Sequence, residues 1–283
     1  MDNKVLIKQY VDTGLALPVT QFKKLSNNQK TTYLRKRNIA VDGGSEPKPY
    51  ELKYFSEDTR VKVILRDPYY YCDLLQRQDA LTDYVALESI KRKPGIFQYI
   101  HNDSEEIRIA AVEHSGHNLE YINNPSEAVQ LAAVKNSSVA LGYIKNPSED
   151  VQIAAVRNSS LTLGTILTKR IEPSEKLLTT ATILNPINTM FILREFDILV
   201  PEDLKMLAVT TNGKAIQFIY NPSEELQLAA VKNSPYAMGA IKNPTESTRL
   251  LNDKLYSGKI NESKGKSGMK LLDIVREDFL GIN

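Results

Sequence analysis

Residues 123–144 read NNPSEAVQLAAVKNSSVALGYI, and residues 145–166 follow at once with KNPSEDVQIAAVRNSSLTLGTI. The same string returns as YNPSEELQLAAVKNSPYAMGAI at 220–241 and as HNDSEEIRIAAVEHSGHNLEYI at 101–122. Four such copies, agreeing at most positions, are an internal repeat, and a repeat this short is the signature of a stacked architecture. Weaker copies fall in register at 81–100 and, with small offsets, at 56–75, 173–192 and 201–219; Lys242 to Leu255 starts a further unit. About nine units result.

One unit predicts a helical hairpin. Asn124, Pro125 and Glu127 predict a helix start, with Asn as N-cap, Pro at the first helical position and Glu capping in return. The helix is expected to stop at Lys135-Asn136, where Asn tolerates the left-handed conformation. Ser137-Ser138 then restarts a shorter helix carrying Leu141 and Ile144. At 100° per residue Val129, Ala132 and Ala133 share one side of the first helix, with Leu131 and Val134 roughly opposite. A helix apolar on two sides needs a neighbour before and after it, so no unit buries its faces alone. The expected fold is all-α: an α-solenoid of about nine 22-residue two-helix repeats with helical N- and C-terminal caps.

The run SEE-(V/L)-Q-L-A-A-V-K-N followed by a short second helix resembles HEAT-like α-solenoids. It is closer still to the short alanine-rich helical repeats of bacteriophage and large DNA virus proteins. The resemblance covers roughly residues 56–255. It implies the repeat fold and a phage or viral origin, and these repeats share no common activity.

Outside the array, residues 1–50 predict a helical cap and linker, with helices at 3–13, 19–25 and 28–38 and a loop from Val41 to Pro49. The repeats occupy 51–256. Residues 257–283 combine a Gly/Ser/Lys-rich linker, Ser257 to Gly268, with an amphipathic helix, Met269 to Leu280.

Apolar residues at 42% and charged residues at 25% are globular proportions and argue against wholesale disorder. The single cysteine, Cys72, excludes an internal disulfide and fits a reducing compartment. No apolar run approaches the length of a membrane span. Charged residues from Asp2 to Asp12 are wrong for a signal peptide, so the expectation is a cytoplasmic protein, bacterial or in an infected host, with no membrane partner. The net charge of +2 hides an asymmetry. Residues 1–50 hold nine Lys/Arg against four Asp/Glu, whereas residues 51–253 hold 21 against 26.

No motif for catalysis appears: no phosphate-cradling glycine loop, no G-x-S-x-G, no H-E-x-x-H. His114 and His117, with Glu113 and Asp103 nearby, have the composition of a metal site. However, His114 stands in the column filled by Asn136, Asn158 and Asn233, so capping accounts for it. No catalytic residue, cofactor or metal is expected. What repeats display well is columns. Gln130, Gln152 and Gln227, continued by Arg108, form a polar strip, and Lys135, Arg157 and Lys232 form a basic one. Both are candidate surfaces for a protein partner, and a non-enzymatic interaction module is the expected function. The alternative is a nucleic-acid-binding regulator. Phosphate binding needs positive charge along the contact, which disfavours the acidic middle and leaves Lys30, Arg35, Lys36 and Arg37 as the candidate nucleic-acid contacts.

Overall fold

The computed structural model describes residues 3–13, 15–42, 46–101 and 104–256, and every regular element among them is a helix. The expected C-terminal linker and helix, 257–283, lie outside the described residues. The chain divides into two compact units, Met1–Asn136 and Ser137–Asn283.

Among the described residues nine first helices carry the repeat. In the first unit they are Glu57–Arg66, Asp83–Arg92, Glu105–His114 and Glu127–Asn136. In the second they are Glu149–Asn158, Glu175–Leu184, Glu202–Thr211, Glu224–Asn233 and Glu246–Tyr256. Within each unit successive first helices pack on one another, as a solenoid-type repeat requires.

The helix start differs from the expected one. The N-cap is the serine: Ser126 accepts from the Val129 amide, Ser148 from Val151 and Ser223 from Leu226, with Ser56, Thr82, Ser104 and Ser174 in the same role. Asn124 and Asn221 instead take left-handed backbone at φ 49 and 44, so the asparagine turns the chain and the proline leads into the cap. Asn136 does not adopt that conformation. A serine or threonine hydroxyl at the N-cap accepts from one of the orphan amides of the first turn.

The same hydroxyls link successive repeats. Thr82 donates to Glu57, Ser126 to Glu105, Ser174 to Glu149, and Ser223 to Glu202 at 3.2 Å. Each glutamate opens a first helix, where the dipole favours negative charge. The recurrent acidic residues are therefore part of a cap ladder. Pro201 stands where the next hydroxyl would be and makes no side-chain cap.

The core follows a fixed register from the cap. Three residues on lie Val129, Val151 and Leu177; seven on, Ala133, Ala155 and Ala181; eight on, Val134 and Val156, all fully buried. The alanine position lets neighbouring axes approach, and a larger side chain there would overpack the stack.

Second helices come in two forms, and repeat length decides which. Where the repeat keeps its 22-residue period, the second helix is a short stretch of 3₁₀: Pro94–Tyr99, Gly116–Tyr121, Ser138–Tyr143, Gly213–Phe218 and Pro235–Ala240. The three longer repeats convert it to α-helix: Pro68–Gln76, Thr162–Thr168 and Pro186–Glu195. All three end alike. Asp79, Arg170 and Asp197 take positive φ, and the next amide (Ala80, Ile171, Ile198) donates five residues back, to Leu75, Ile166 and Leu193. This is a Schellman closure made without glycine. The offsets of the copies at 173–192 and 201–219 thus reflect extra helical turns with their stops in the repeats before them.

Residues 3–54 form a small helical module, Asn3–Asp12, Val19–Lys23, Asn27–Asp42 and Pro49–Tyr54, around Ile7, Leu17, Phe22, Leu25 and Tyr33. The third helix runs beyond its expected end at 38. Val41 is buried and its carbonyl accepts from Arg66, so Val41 and Asp42 belong to the helix and not to the expected loop.

Candidate interaction surface

The glutamine column is structural. Gln152 and Gln227 are buried, and the amides of Gln130, Gln152 and Gln227 donate to the carbonyls of Pro125, Pro147 and Pro222 at 2.9–3.0 Å. Gln227 also accepts from the Thr245 amide of the next repeat at 3.0 Å. Each glutamine pins the loop entering its own helix. A polar strip between two apolar faces is where such a staple fits, and sequence alone gives staple and contact residue the same appearance. Arg60, in the same column, donates to the Phe55 and Ala80 carbonyls. Arg108 is half-buried and lines a hollow of about 300 Å³ with Phe97, His101, Tyr121 and Asn123. Lys135, Arg157 and Lys232 are exposed on the last turns of their helices.

The asparagine column is a clamp. Asn136 accepts from the Gly116 amide and donates to the Glu113 carbonyl, at 2.8 and 2.7 Å. Asn233 repeats both bonds on Gly213 and Thr210, at 2.8 and 2.7 Å. Each ties the turn between the two helices of the preceding repeat. His114, which shares this column, is exposed.

The basic N-terminal set separates. Arg35 and Lys36 are exposed, while Lys30 is half-buried with its ammonium 5.8 Å from the centre of the Phe22 ring. Arg37, contrary to the sequence expectation, is not available as a nucleic-acid contact. It is fully buried, with Nε 3.1 Å and Nη2 3.2 Å from the two Glu51 carboxylate oxygens and Nη2 3.0 Å from the Glu46 carbonyl. Tyr33 donates to the same carboxylate and accepts from the Leu17 amide, and burial first, then Glu51, pushes its phenol up. A guanidinium so engaged has no face for a phosphate.

Among the described residues no three His, Cys, Asp or Glu side chains converge in a way that could hold a metal ion, and Asp103 lies outside them. Cys72 is a buried thiol, pushed up to about 12 by burial. No described helix is long and apolar enough to cross a membrane.

A different column stands open. In seven of the eight second helices the residue preceding a buried isoleucine near the helix end is Tyr99, Tyr121, Tyr143, Thr165, Phe191, Phe218 or Ala240, while Pro68–Gln76 has no isoleucine. In the first unit Tyr121 is about half exposed, and Tyr99 packs edge-on against exposed Tyr69 at 5.9 Å. In the second unit the column becomes a platform. Phe191 and Phe218, one repeat apart, meet edge-to-face at 5.4 Å, and the Arg194 guanidinium lies 5.8 Å from the first ring and 5.0 Å from the second. Leu199 and Tyr220 flank it at 93% and 86% exposure.

Two hollows meet at this platform, sharing Arg194, Phe218, Ile219 and Tyr220. One, of about 280 Å³, continues to Gln227, Ala240, Lys242 and Asn243. The other, of about 380 Å³, continues to Met190, Asp197, Leu199 and Lys205. A cation held over two rings beside exposed apolar side chains is the composition of an interface hot spot. The sequence signal is the aromatic before each of these isoleucines. The two longer repeats move Phe191 and Phe218 out of the 22-residue register and hide it.

No known protein family matches the chain, and neither a curated protein nor a solved structure resembles it significantly.

Proposed function

We propose that this chain is a non-enzymatic interaction module that binds a protein partner through the Arg194 platform of its second unit. The carrying observation is the pairing of a half-exposed guanidinium, 5.0 Å from the Phe218 ring centre, with Leu199 and Tyr220, both almost wholly exposed. Exposed large apolar side chains next to an arginine gain most when a partner desolvates them. The polar residues that recur through the repeats support a binding rather than a catalytic role, because cap, staple and clamp already account for their hydrogen-bonding groups. Lys135, Arg157 and Lys232 supply rim charge that steers approach more than it holds the complex. The cytoplasm is the compartment we assign, on the strength of a lone cysteine kept as a buried thiol.

The test compares full-length wild type with Arg194→Ala/Tyr220→Ala and with Arg35→Glu/Lys36→Glu in affinity purification from the native host. Loss of a specific protein with the platform variant alone supports the reading. Retention of every partner by that variant refutes it. A salt-sensitive duplex-DNA shift abolished by the Arg35/Lys36 variant would assign the activity to the N-terminal module instead.

A further inference from the structure

The platform has the shape and charge of a receptor for a short acidic, aromatic segment. A carboxylate can take a two-pronged bond from a guanidinium, which is planar by its own bonding. Among the described residues Arg194 pairs with neighbouring Glu195, at 3.0 Å. Both side chains are solvent-exposed, so this pair is weak and easily exchanged. Lys205 and Lys242 line the hollows on either side, with Asp197 the acid among the lining residues. A volume of about 280 Å³ beside exposed Tyr220 admits one large apolar side chain.

The chain carries such a segment itself. After Tyr256 the sequence continues to Asn283 and includes Arg276-Glu277-Asp278-Phe279-Leu280, two acids followed by an aromatic and an aliphatic residue. We propose that the hollows around Arg194 dock this chain's own Glu277–Leu280 segment, with a carboxylate on Arg194 and Phe279 and Leu280 in the hollows beside Tyr220 and Leu199.

Reach permits it. Asn243, at the rim of the first hollow, lies just before the helix Glu246–Tyr256. That helix carries the chain about 16 Å away. The stretch 257–276 is long enough to return it, since even a coil of that length would span roughly 25 Å. A tether of this kind sets an effective concentration near the millimolar range. A weak contact is therefore populated in the intact chain. This rests on the platform being a docking surface; the tail then occupies it until a partner with the same acidic and aromatic chemistry displaces it.

Hydrogen–deuterium exchange on the full-length chain tests the proposal. The loops 196–200 and 219–222 lie between helices, so a docked segment would slow them. The variant Asp278→Lys/Phe279→Ala alters only the tail and should speed exchange in both loops about tenfold. Arg194→Glu should do the same, and combining it with Glu277→Lys/Asp278→Lys should restore protection. Unchanged exchange in the tail variant overturns the proposal. Protection that disappears on dilution also overturns it, assigning the tail to a second copy. A tail variant without effect, while Arg194→Ala still abolishes partner binding, removes the tail contact and leaves the interaction reading standing. A protected tail with partner binding indifferent to Arg194→Ala does the reverse.

Discussion

Arg37 lies buried between Glu51 and the Glu46 carbonyl, whereas Arg194 stands exposed on the rings of Phe191 and Phe218. Both are helical arginines with an acidic residue in reach. The first orders a core. Removed from water, its charge is tolerable only because every neighbour is committed to it, including the Tyr33 hydroxyl and the Lys48 amide that also bond Glu51. The second keeps its hydration and one dispensable ion pair, so its charge remains available to a ligand. Partners in space, not residue type, decide whether an arginine holds a fold or offers a surface.

The largest test of this contrast is Glu51→Gln. The substitution would leave Arg37 buried without a countercharge, and breaking one side of such a pair costs about 3–5 kcal/mol. Urea unfolding followed by circular dichroism should show that loss, while Arg35→Ala, on an exposed neighbour, should stay within about 0.5 kcal/mol. Equal small effects from both would erase the distinction.

Next come two changes beneath the platform. Gly213 opens the 3₁₀ helix that carries Phe218, and a Cβ there would collide with the Ala230 carbonyl oxygen. The obstacle is backbone, so Gly213→Ala should destabilise by about 1–3 kcal/mol. Asn233→Ala strands the Gly213 amide and the Thr210 carbonyl. A loss of about 1–2 kcal/mol is expected there too. If the clamp positions the platform, Asn233→Ala should also weaken partner binding, read by titration calorimetry.

Cys72 supplies a milder probe of the first unit. Its thiol is pushed up to about 12 by burial, so the native state holds that proton where the unfolded chain, with its ordinary value near 9, has released it. The thiol's contribution to stability is complete below pH 9 and is lost as pH rises from there towards 12. Urea midpoints should decline across that window in wild type and less so in Cys72→Ala. Iodoacetamide at mildly alkaline pH should label Cys72 only as fast as the unit opens, and faster in Glu51→Gln. Prompt labelling of the folded wild type would contradict a buried thiol.

Much of the fold is legible because a repeat states its pattern several times. The number of units, the buried alanines and the paired helices follow from the recurring Ser-Glu and Ala-Ala-Val strings, although Thr82-Asp83, Pro201-Glu202 and Thr245-Glu246 depart from the first. The role of each column is harder to read. In sequence Gln152 has the look of a displayed amide, yet it is a loop staple; Asn136 has that of a helix terminator, yet it clamps the preceding repeat; Asn124 has that of a cap, yet it is the turn before one. For Asn136 the deciding partners lie a whole repeat earlier in the chain, and helical periodicity carries no information about such pairs. The aromatic column escapes for the opposite reason. Its members are visible, but the two longer repeats put Phe191 and Phe218 out of step with a strict 22-residue comparison.

A small effect on stability belongs to the residue with the largest expected effect on binding. Arg194→Ala removes a cation–π contact worth about 0.5–1 kcal/mol at an exposed site. Unfolding should therefore shift by less than about 1 kcal/mol, within reach of other surface changes. Binding should behave differently. A guanidinium desolvated at the centre of an interface costs about 2 kcal/mol or more on truncation, or roughly thirtyfold in Kd. Arg194→Lys discriminates further, because an ammonium keeps the charge but loses both the flat stack and the two-pronged bond. If the lysine variant binds as well as wild type, the platform contributes only charge. If it binds no better than the alanine variant, planar recognition is what Phe191 and Phe218 are arranged to support, and an exposed arginine with little part in stability is the functional centre of the second unit.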